Sequence, residues 1–171
     1  DFVDLTGVSP VQVAEILTQR GLEVEAIEPQ AKGLDHVIVA KILERNKHPD
    51  SDRLSLCKVE TGKGVLEIVC GAQNMKAGDH VALAQVGADL PNGMKITANK
   101  IRGVLSHGML CSTDELGLSV LDQKSEGILI LETKPNIGQP LTQFLGLNDT
   151  VFDIKLTANR GDCLSHLGLA R

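Results

Sequence analysis

From Val37 onward the sequence is broken every few residues. Val37–Leu43, Leu54–Val59, Val65–Val69, Val81–Val86, Met94–Ala98 and Ile128–Leu131 are short aliphatic, β-branched runs set between glycine, asparagine and aspartate. Runs of this length with turn residues between them read as strands, and several in succession read as an all-β unit. Thr61–Gly64 and Pro91–Gly93 carry the residue types that tight turns need, so neighbouring runs are predicted to form hairpins. A small closed barrel, an OB-fold or a near relative, is the architecture that uses short strands in this number. Its interior must be aliphatic, because there is no Trp or Tyr and the three Phe lie at positions 2, 144 and 152.

The flanks follow a different pattern. Ser9 as N-cap, Pro10 as first helical residue and Gln12 as third make a capping box. They open a helix through Arg20, ended by Gly21, with Val13, Ile16 and Leu17 as its apolar stripe. Leu22, Val24 and Ala26 alternate with charged residues as in a half-buried strand, and Pro29–Asp35 reads as a linker. Beyond Gly138 come a short helix at Leu141–Phe144, an alternating strand at Val151–Leu156 and a helix beginning near Asp162. One helix and one strand cannot bury a core, so the two ends are predicted to join. The expected fold class is α+β: an OB-fold barrel (37–150) inserted into a small discontinuous α+β domain made of residues 1–36 and 151–171, the second half cut short. That expectation depends on the first and last strands sharing a sheet.

Several function classes fall away. No apolar run approaches the roughly 18 residues that span a bilayer, and the start lacks the basic and apolar regions of a secretory signal. Because position 1 is Asp and Arg171 falls inside a predicted helix, the chain is expected to be a piece of a longer protein. Cys57, Cys70, Cys111 and Cys163 form no CxxC pair, which argues against a zinc ribbon or a disulfide framework and for a reducing cytoplasm. The net charge of −5 is concentrated in residues 1–36, with 2 basic and 7 acidic groups, while 37–150 carry 12 and 13. Indiscriminate nucleic-acid binding is disfavoured, but a local basic patch is allowed.

That patch is Leu90–Thr113, which holds Lys95, Lys100, Arg102 and His107 without one Asp or Glu. Three fixed cations attract phosphates, and Gly103 and Gly108 let backbone approach a ligand; an ordinary solvated face is the competing reading. His48–Leu54 (HPDSDRL) reads as a turn in which Asp50 or Asp52 caps backbone amides, and a metal site on His48, Asp50 and Asp52 lacks converging partners. Ser106–His107–Gly108 is no nucleophile elbow, since Gly103 stands one residue too early, and Gly62–Lys63–Gly64 lacks the length and following helix of a phosphate loop. No aromatic lies between 37 and 143, so the stacking platform for single strands is missing, whereas structured RNA held by phosphates and 2′-hydroxyls stays compatible.

Four motifs taken together, HPDSDRL (48–54), IVCGAQN (68–74), ADLPNGMKI (88–96) and KIRGVLSHGMLCS (100–112), resemble the tRNA-binding OB domain. That domain is shared by free-standing tRNA-binding proteins, some methionyl-tRNA synthetases and the bacterial phenylalanyl-tRNA synthetase beta chain. The flanks GLEVEAIE (21–28), KSEGILIL (124–131) and TANRGDCLSHLGLAR (157–171) are similar to the last of these, and the resemblance covers essentially the whole chain. It implies an N-terminal piece of the beta chain of a ligase with two alpha and two beta chains. ATP and magnesium are implied for the holoenzyme only, with no cofactor, metal or catalytic residue in this piece, and with tRNA and the alpha chain as partners rather than DNA or membrane. Residues matching the family's S-x-G-M motif, Ser106 and Met109, are implied in tRNA contact, Ser106 read as giving a hydrogen bond and Met109 as giving apolar contact or supporting the loop. Lys95, Lys100 and Arg102 are then read as phosphate ligands, Arg53 and Lys58 as secondary ones, and Asn74 as orienting a loop or meeting RNA. Asn159 or Asp162 is expected to cap the last helix, with Arg160 as an ion-pair partner. The expected function is a non-catalytic tRNA-binding module; the alternative is a structural and assembly module with little tRNA contact.

Overall fold

The computed structural model describes residues 2–118 and 126–171, so Lys124 and Ser125 of the KSEGILIL motif lie outside the described residues. The first element, α1 (Pro10–Gln19), starts where its caps dictate. Ser9 Oγ accepts from the Gln12 amide at 3.3 Å, and Gln12 Oε1 accepts from the Ser9 amide at 2.9 Å. Arg20 closes the helix and Gly21 turns away at φ +84°. Ala14, rather than Ile16, is the buried centre of its stripe: Ile16 is 51% exposed. β1 (Glu23–Pro29) follows with Val24 and Ala26 half-buried.

The all-β unit, Ala31–Leu147, comes next. Its strands are β2 (Val37–His48), β3 (Ser51–Glu60), β4 (Val65–Cys70), β5 (His80–Gln85), β6 (Asn99–Ile101), β7 (Val104–Ser106), β8 (Gly108–Leu110) and β9 (Ile130–Leu131). Antiparallel pairing runs β4-β3-β2-β5-β8, with β9 also on β5. β2 is the spine. Val37–Lys41 pair with β5, Lys41–His48 pair with β3, and register shifts at Ile42/Glu44 and Lys47/His48 coil the sheet between the two. The remaining gap, between β4 and the β7–β8 edge, is bridged by the His107 amide donating to the Glu67 carbonyl at 3.1 Å and the Val69 amide donating to Ser106 Oγ at 3.1 Å. The result is the nearly closed OB-fold barrel.

Its interior is mainly aliphatic, with Met75, Cys57 and Cys111 among the buried residues. Val37, Val39, Ala82, Ala84 and Leu141 belong to one buried cluster and Ile42, Val59, Ile68, Val81 and Leu83 to the other. Leu141 comes from α2 (Leu141–Phe144) and is fully buried in the first cluster. The Thr61–Gly64 turn is made by the Thr61 amide and hydroxyl both donating to the Gly64 carbonyl, each at 2.9 Å. Pro91–Gly93 is closed by the Gly93 amide on the Leu90 carbonyl.

Three sequence expectations need correction. Met94–Ala98 is not a strand: the Leu90 amide binds the Met94 carbonyl and the Ile96 amide binds the Ala88 carbonyl, so its ladder partners lie inside its own loop, with a single bridge Asp89–Lys95. Ile96 alone reaches the core. In the β2–β3 turn the cap on the Asp50 amide is His48 Nδ1 at 3.1 Å, and Ser51 Oγ accepts from Arg53, so neither Asp50 nor Asp52 plays that part. The last helix, α3, begins at His166 and is capped by Ser165, because the Asp162 carboxylate is held by Arg160 at 3.2 Å.

The final strand, β10 (Thr150–Lys155), pairs antiparallel with β1 from Pro29–Thr150 to Glu23–Lys155. First and last strands therefore share a sheet, in the unit formed by Asp1–Gln30 and Asn148–Arg171. Lys155 reaches Glu25 at 3.2 Å and Glu23 at 3.7 Å across it. Among the described residues no helix is long and apolar enough to cross a membrane.

Burial pushes the Cys57 thiol up to about 11 and the Cys111 thiol up to about 12, from an ordinary value of 9.0. These thiols hold protons more tightly folded than unfolded. Their contribution to stability is intact below pH 9.0 and is lost as pH climbs towards the folded values. At neutral pH a thiol reagent is expected to modify Cys57 and Cys111 only as fast as the barrel opens, and at once in denaturant; mass spectrometry of the labelled peptides measures both.

Candidate functional site

The acid-free stretch folds around the β6–β7 hairpin, where Asn99, Lys100 and Ile101 pair with Ser106, Leu105 and Val104. Two residues make its turn, and both have positive φ: Arg102 at +46° and Gly103 at +88°. This is the sign pattern of a type I′ turn, whose twist suits a two-residue hairpin. Glycine adopts it freely, whereas an L-residue with a side chain gives up roughly 1–2 kcal/mol. Arg102 is the single non-glycine residue with positive φ among the described residues. Its guanidinium sits at the hairpin tip, exposed, with one N–H on the Asp50 carbonyl at 3.3 Å. That contact sets the tip against the β2–β3 turn, the turn that leads into Arg53.

Lys100 is exposed on β6 and has no ion-pair partner among the described residues. Lys95 lies 3.7 Å from Asp89, with both side chains well exposed, a pairing that salt screens and a phosphate can displace. Lys58 is placed differently. It meets Glu44 at 2.9 Å across β2–β3 and stands opposite Glu67 on β4; the hydrogen bond to Glu44 raises its pKa. Arg102 and Lys100 thus share one hairpin, whose tip touches the turn before Arg53, while Lys95 and Lys58 are each paired with a carboxylate.

The polar candidates turn inward. Ser106 is 3% exposed, its hydroxyl accepting from Val69 and donating to the Gly108 carbonyl at 2.9 Å. It acts as a clasp of the barrel, with no donor left for RNA. Asn74 binds the Ile128 backbone twice, Nδ2 to the carbonyl at 2.9 Å and Oδ1 from the amide at 3.1 Å, which fixes the loop entering β9. Met109 is half-buried, paired with Ala84 on β5 and packed on the core, with one side on a cleft.

That cleft, of about 580 Å³, has walls of Ile96, Ile101 and Met109 and a rim of Lys95, Asn99 and Glu115. Two residues that organise the region are absent from the sequence expectations. Arg45 braces β2 to β3 and to the following loop, donating to Ser55 Oγ at 3.0 Å, to the Met75 carbonyl at 2.9 Å and to Gln73; side-chain bonds of this range leave no local pattern. Glu115 does leave one. Its Oε2 accepts from the Ser112 amide at 2.7 Å and hydroxyl at 3.0 Å, while Ser112 Oγ accepts from the Glu115 amide at 3.2 Å. This is a capping box, legible as Ser-x-x-Glu. No group of three or more metal-binding side chains converges among the described residues.

Comparison with known proteins places this geometry. Residues 37–140 match the family described as "Putative tRNA binding domain". The phenylalanine–tRNA ligase beta subunit of Geobacter metallireducens is 55% identical over 171 residues, which is 100% of this chain and 21% of that one. Those of Geobacter sulfurreducens, 56% identical, and Bdellovibrio bacteriovorus, 52% identical, cover the same shares. The chain thus spans about a fifth of the length of these relatives, barrel and flanks included. With its barrel matched as a unit and its α+β flanks aligned in the same proteins, the chain belongs to the tRNA-binding domain family, in the form found in phenylalanine–tRNA ligase beta subunits.

Proposed function

We propose that this chain is a non-catalytic module that grips structured tRNA through the β6–β7 hairpin and the surface beside it. It works in the cytoplasm within a ligase of two alpha and two beta chains, where ATP and magnesium serve chemistry carried by other parts. One observation carries the reading: an arginine held in a left-handed turn at an exposed tip, with an unpaired Lys100 on the same hairpin. A backbone cost borne by a cation on the surface fits a ligand contact better than a packing role. Lys100 and Arg102 meet phosphates, Lys95 joins them by exchanging Asp89, and Arg53 extends the track. Ser106 and Asn74 position the surface without touching RNA, and Met109 supplies its apolar part. The lack of aromatics favours a folded RNA over an extended strand.

The assembly reading is supported by the neutralising pairs Lys58–Glu44 and Lys95–Asp89. A titration of the chain with fluorescently labelled tRNA across a salt series separates the two. Saturable binding is expected at low salt, with the Lys100→Ala, Arg102→Ala double variant flattening the salt slope by about 2, one per lost phosphate contact. Absence of saturable binding at low salt, or an unchanged slope in the variant, overturns the hairpin reading.

A further inference from the structure

We infer that the cleft beside the hairpin is a pocket for one unstacked nucleobase that carries an exocyclic amino group, read by the Glu115 carboxylate. The inference rests on the tRNA-binding reading above and assigns the contact within it that distinguishes bases. The cleft, of about 580 Å³, can admit a planar group, and its apolar lining, Ile96, Ile101 and Met109, offers contact to a ring without an aromatic partner. A carboxylate on its rim is out of place in a phosphate site, because like charges repel there. A base edge is a different matter. Glu115 Oε2 is committed to Ser112, whereas Oε1 has no partner among the described residues and belongs to a residue lining the cleft. A carboxylate oxygen with a free lone pair, on a half-buried residue, accepts from an N–H, and the amino groups of guanine, adenine and cytosine offer one. Uracil presents its only ring N–H between two carbonyl oxygens, which approach the carboxylate like to like.

The surroundings are built to hold this acceptor in place. The Ser112–Glu115 box fixes the carboxylate, and Ile128, also on the lining, is fixed by two hydrogen bonds with Asn74. A Cβ on Gly127 would fall on the Asn74 side-chain amide, so only glycine lets the two pack this closely. Cys70, also on the lining, is a buried thiol whose pKa is raised by burial and additionally by the nearby charge of Glu115. Lys95 at the same rim supplies the cation for the flanking phosphate.

The test uses short RNAs and the variant Glu115→Gln. Glutamine keeps the capping box, as Gln12 does opposite Ser9, but turns an amide N–H towards the base. The chain is titrated at low salt with r(UUUU), r(UUGU), r(UUAU) and r(UUCU), following amide resonances of Asn99, Ile101 and Ile128 by NMR. The tetramers with an amino-bearing base are expected to bind about tenfold tighter than r(UUUU), the worth of one hydrogen bond to a charged group, and to move those resonances. In Glu115→Gln the advantage is expected to vanish while r(UUUU) binding is retained and the amide spectrum stays that of the folded chain. Equal binding of all four, an advantage that survives the substitution, or no cleft shifts with any tetramer overturns the pocket. If the tRNA titration saturates in those cases, the hairpin reading stands without it; if that titration fails too, both fall.

Discussion

Replacing Gly108 with alanine is expected to cost the barrel at least about 3 kcal/mol. Two causes add. Gly108 has φ +142°, a conformation that side-chain-bearing residues hold only under strain. A Cβ there would lie 2.6 Å from the Ala84 carbonyl and 3.3 Å from Leu83 Cδ1. The carbonyl cannot retreat, since Ala84 is buried on β5 with Val37 of β2 on one side and Met109 of β8 on the other. The strand must lift instead. Lifting β8 also pulls at the Ser106 clasp, whose hydroxyl donates to the Gly108 carbonyl. Gly87 is the control: it has φ +96° with nothing within 4 Å of its Cβ position, so alanine there is expected to cost only the backbone strain, about 1 kcal/mol. Urea unfolding followed by far-ultraviolet circular dichroism measures both, since the chain has no Trp or Tyr to report by fluorescence. Equal losses at the two positions would show that crowding against β5 contributes nothing.

Leu83→Ala is expected to lose about 2–5 kcal/mol, and Leu83→Met no more than about 1.5 kcal/mol. Leu83 is fully buried in the cluster with Ile42, Ile68 and Leu110, on the strand that pairs with β2, β8 and β9. Truncation leaves a void bounded by strands on several sides, and a barrel that is tied shut through Ser106 and His107 cannot collapse to fill it. Methionine keeps the volume. The same urea curves give the comparison, and an alanine variant within 1 kcal/mol of the parent would mean the barrel collapses around the void after all.

How much of this could be read beforehand depends on the distance over which each residue acts. The Ser9–Gln12 box, the alternation in β1 and β10 and the turns at Thr61–Gly64 and Pro91–Gly93 are local, and the structure has each where its chemistry asks for it. The insertion followed from a shortage: neither end could bury a core alone, and β1 with β10 supplies the missing partner. Strand-like composition misled at Met94–Ala98 because a single anchoring residue, Ile96, looks the same as a strand in a short window. In the candidate site the cations were legible as an acid-free stretch. The fate of the hydroxyl and the amide was not: Ser106 finds Val69, and Asn74 finds Ile128, 37 and 54 residues away. Side chains that serve the backbone at such range look like ligand-binding residues until the chain is folded.

The pairing of β1 with β10 also sets an order of events. Strand Glu23–Pro29 must wait for Thr150–Lys155, and an unfolded chain closing so long a loop loses entropy that grows with the logarithm of its length. The barrel contains its own remedy. Ala31 and Leu147 pack on the same cluster, and the Ile38–Pro140 bridge draws its two ends to one side. Once it has folded, the loop is replaced by a rigid body with its termini together, and the β1–β10 pairing becomes a short-range closure. In refolding, amide protection is therefore expected to arise in β2–β5 before β1 and β10, so that the inserted barrel acts as the nucleus on which its host domain assembles.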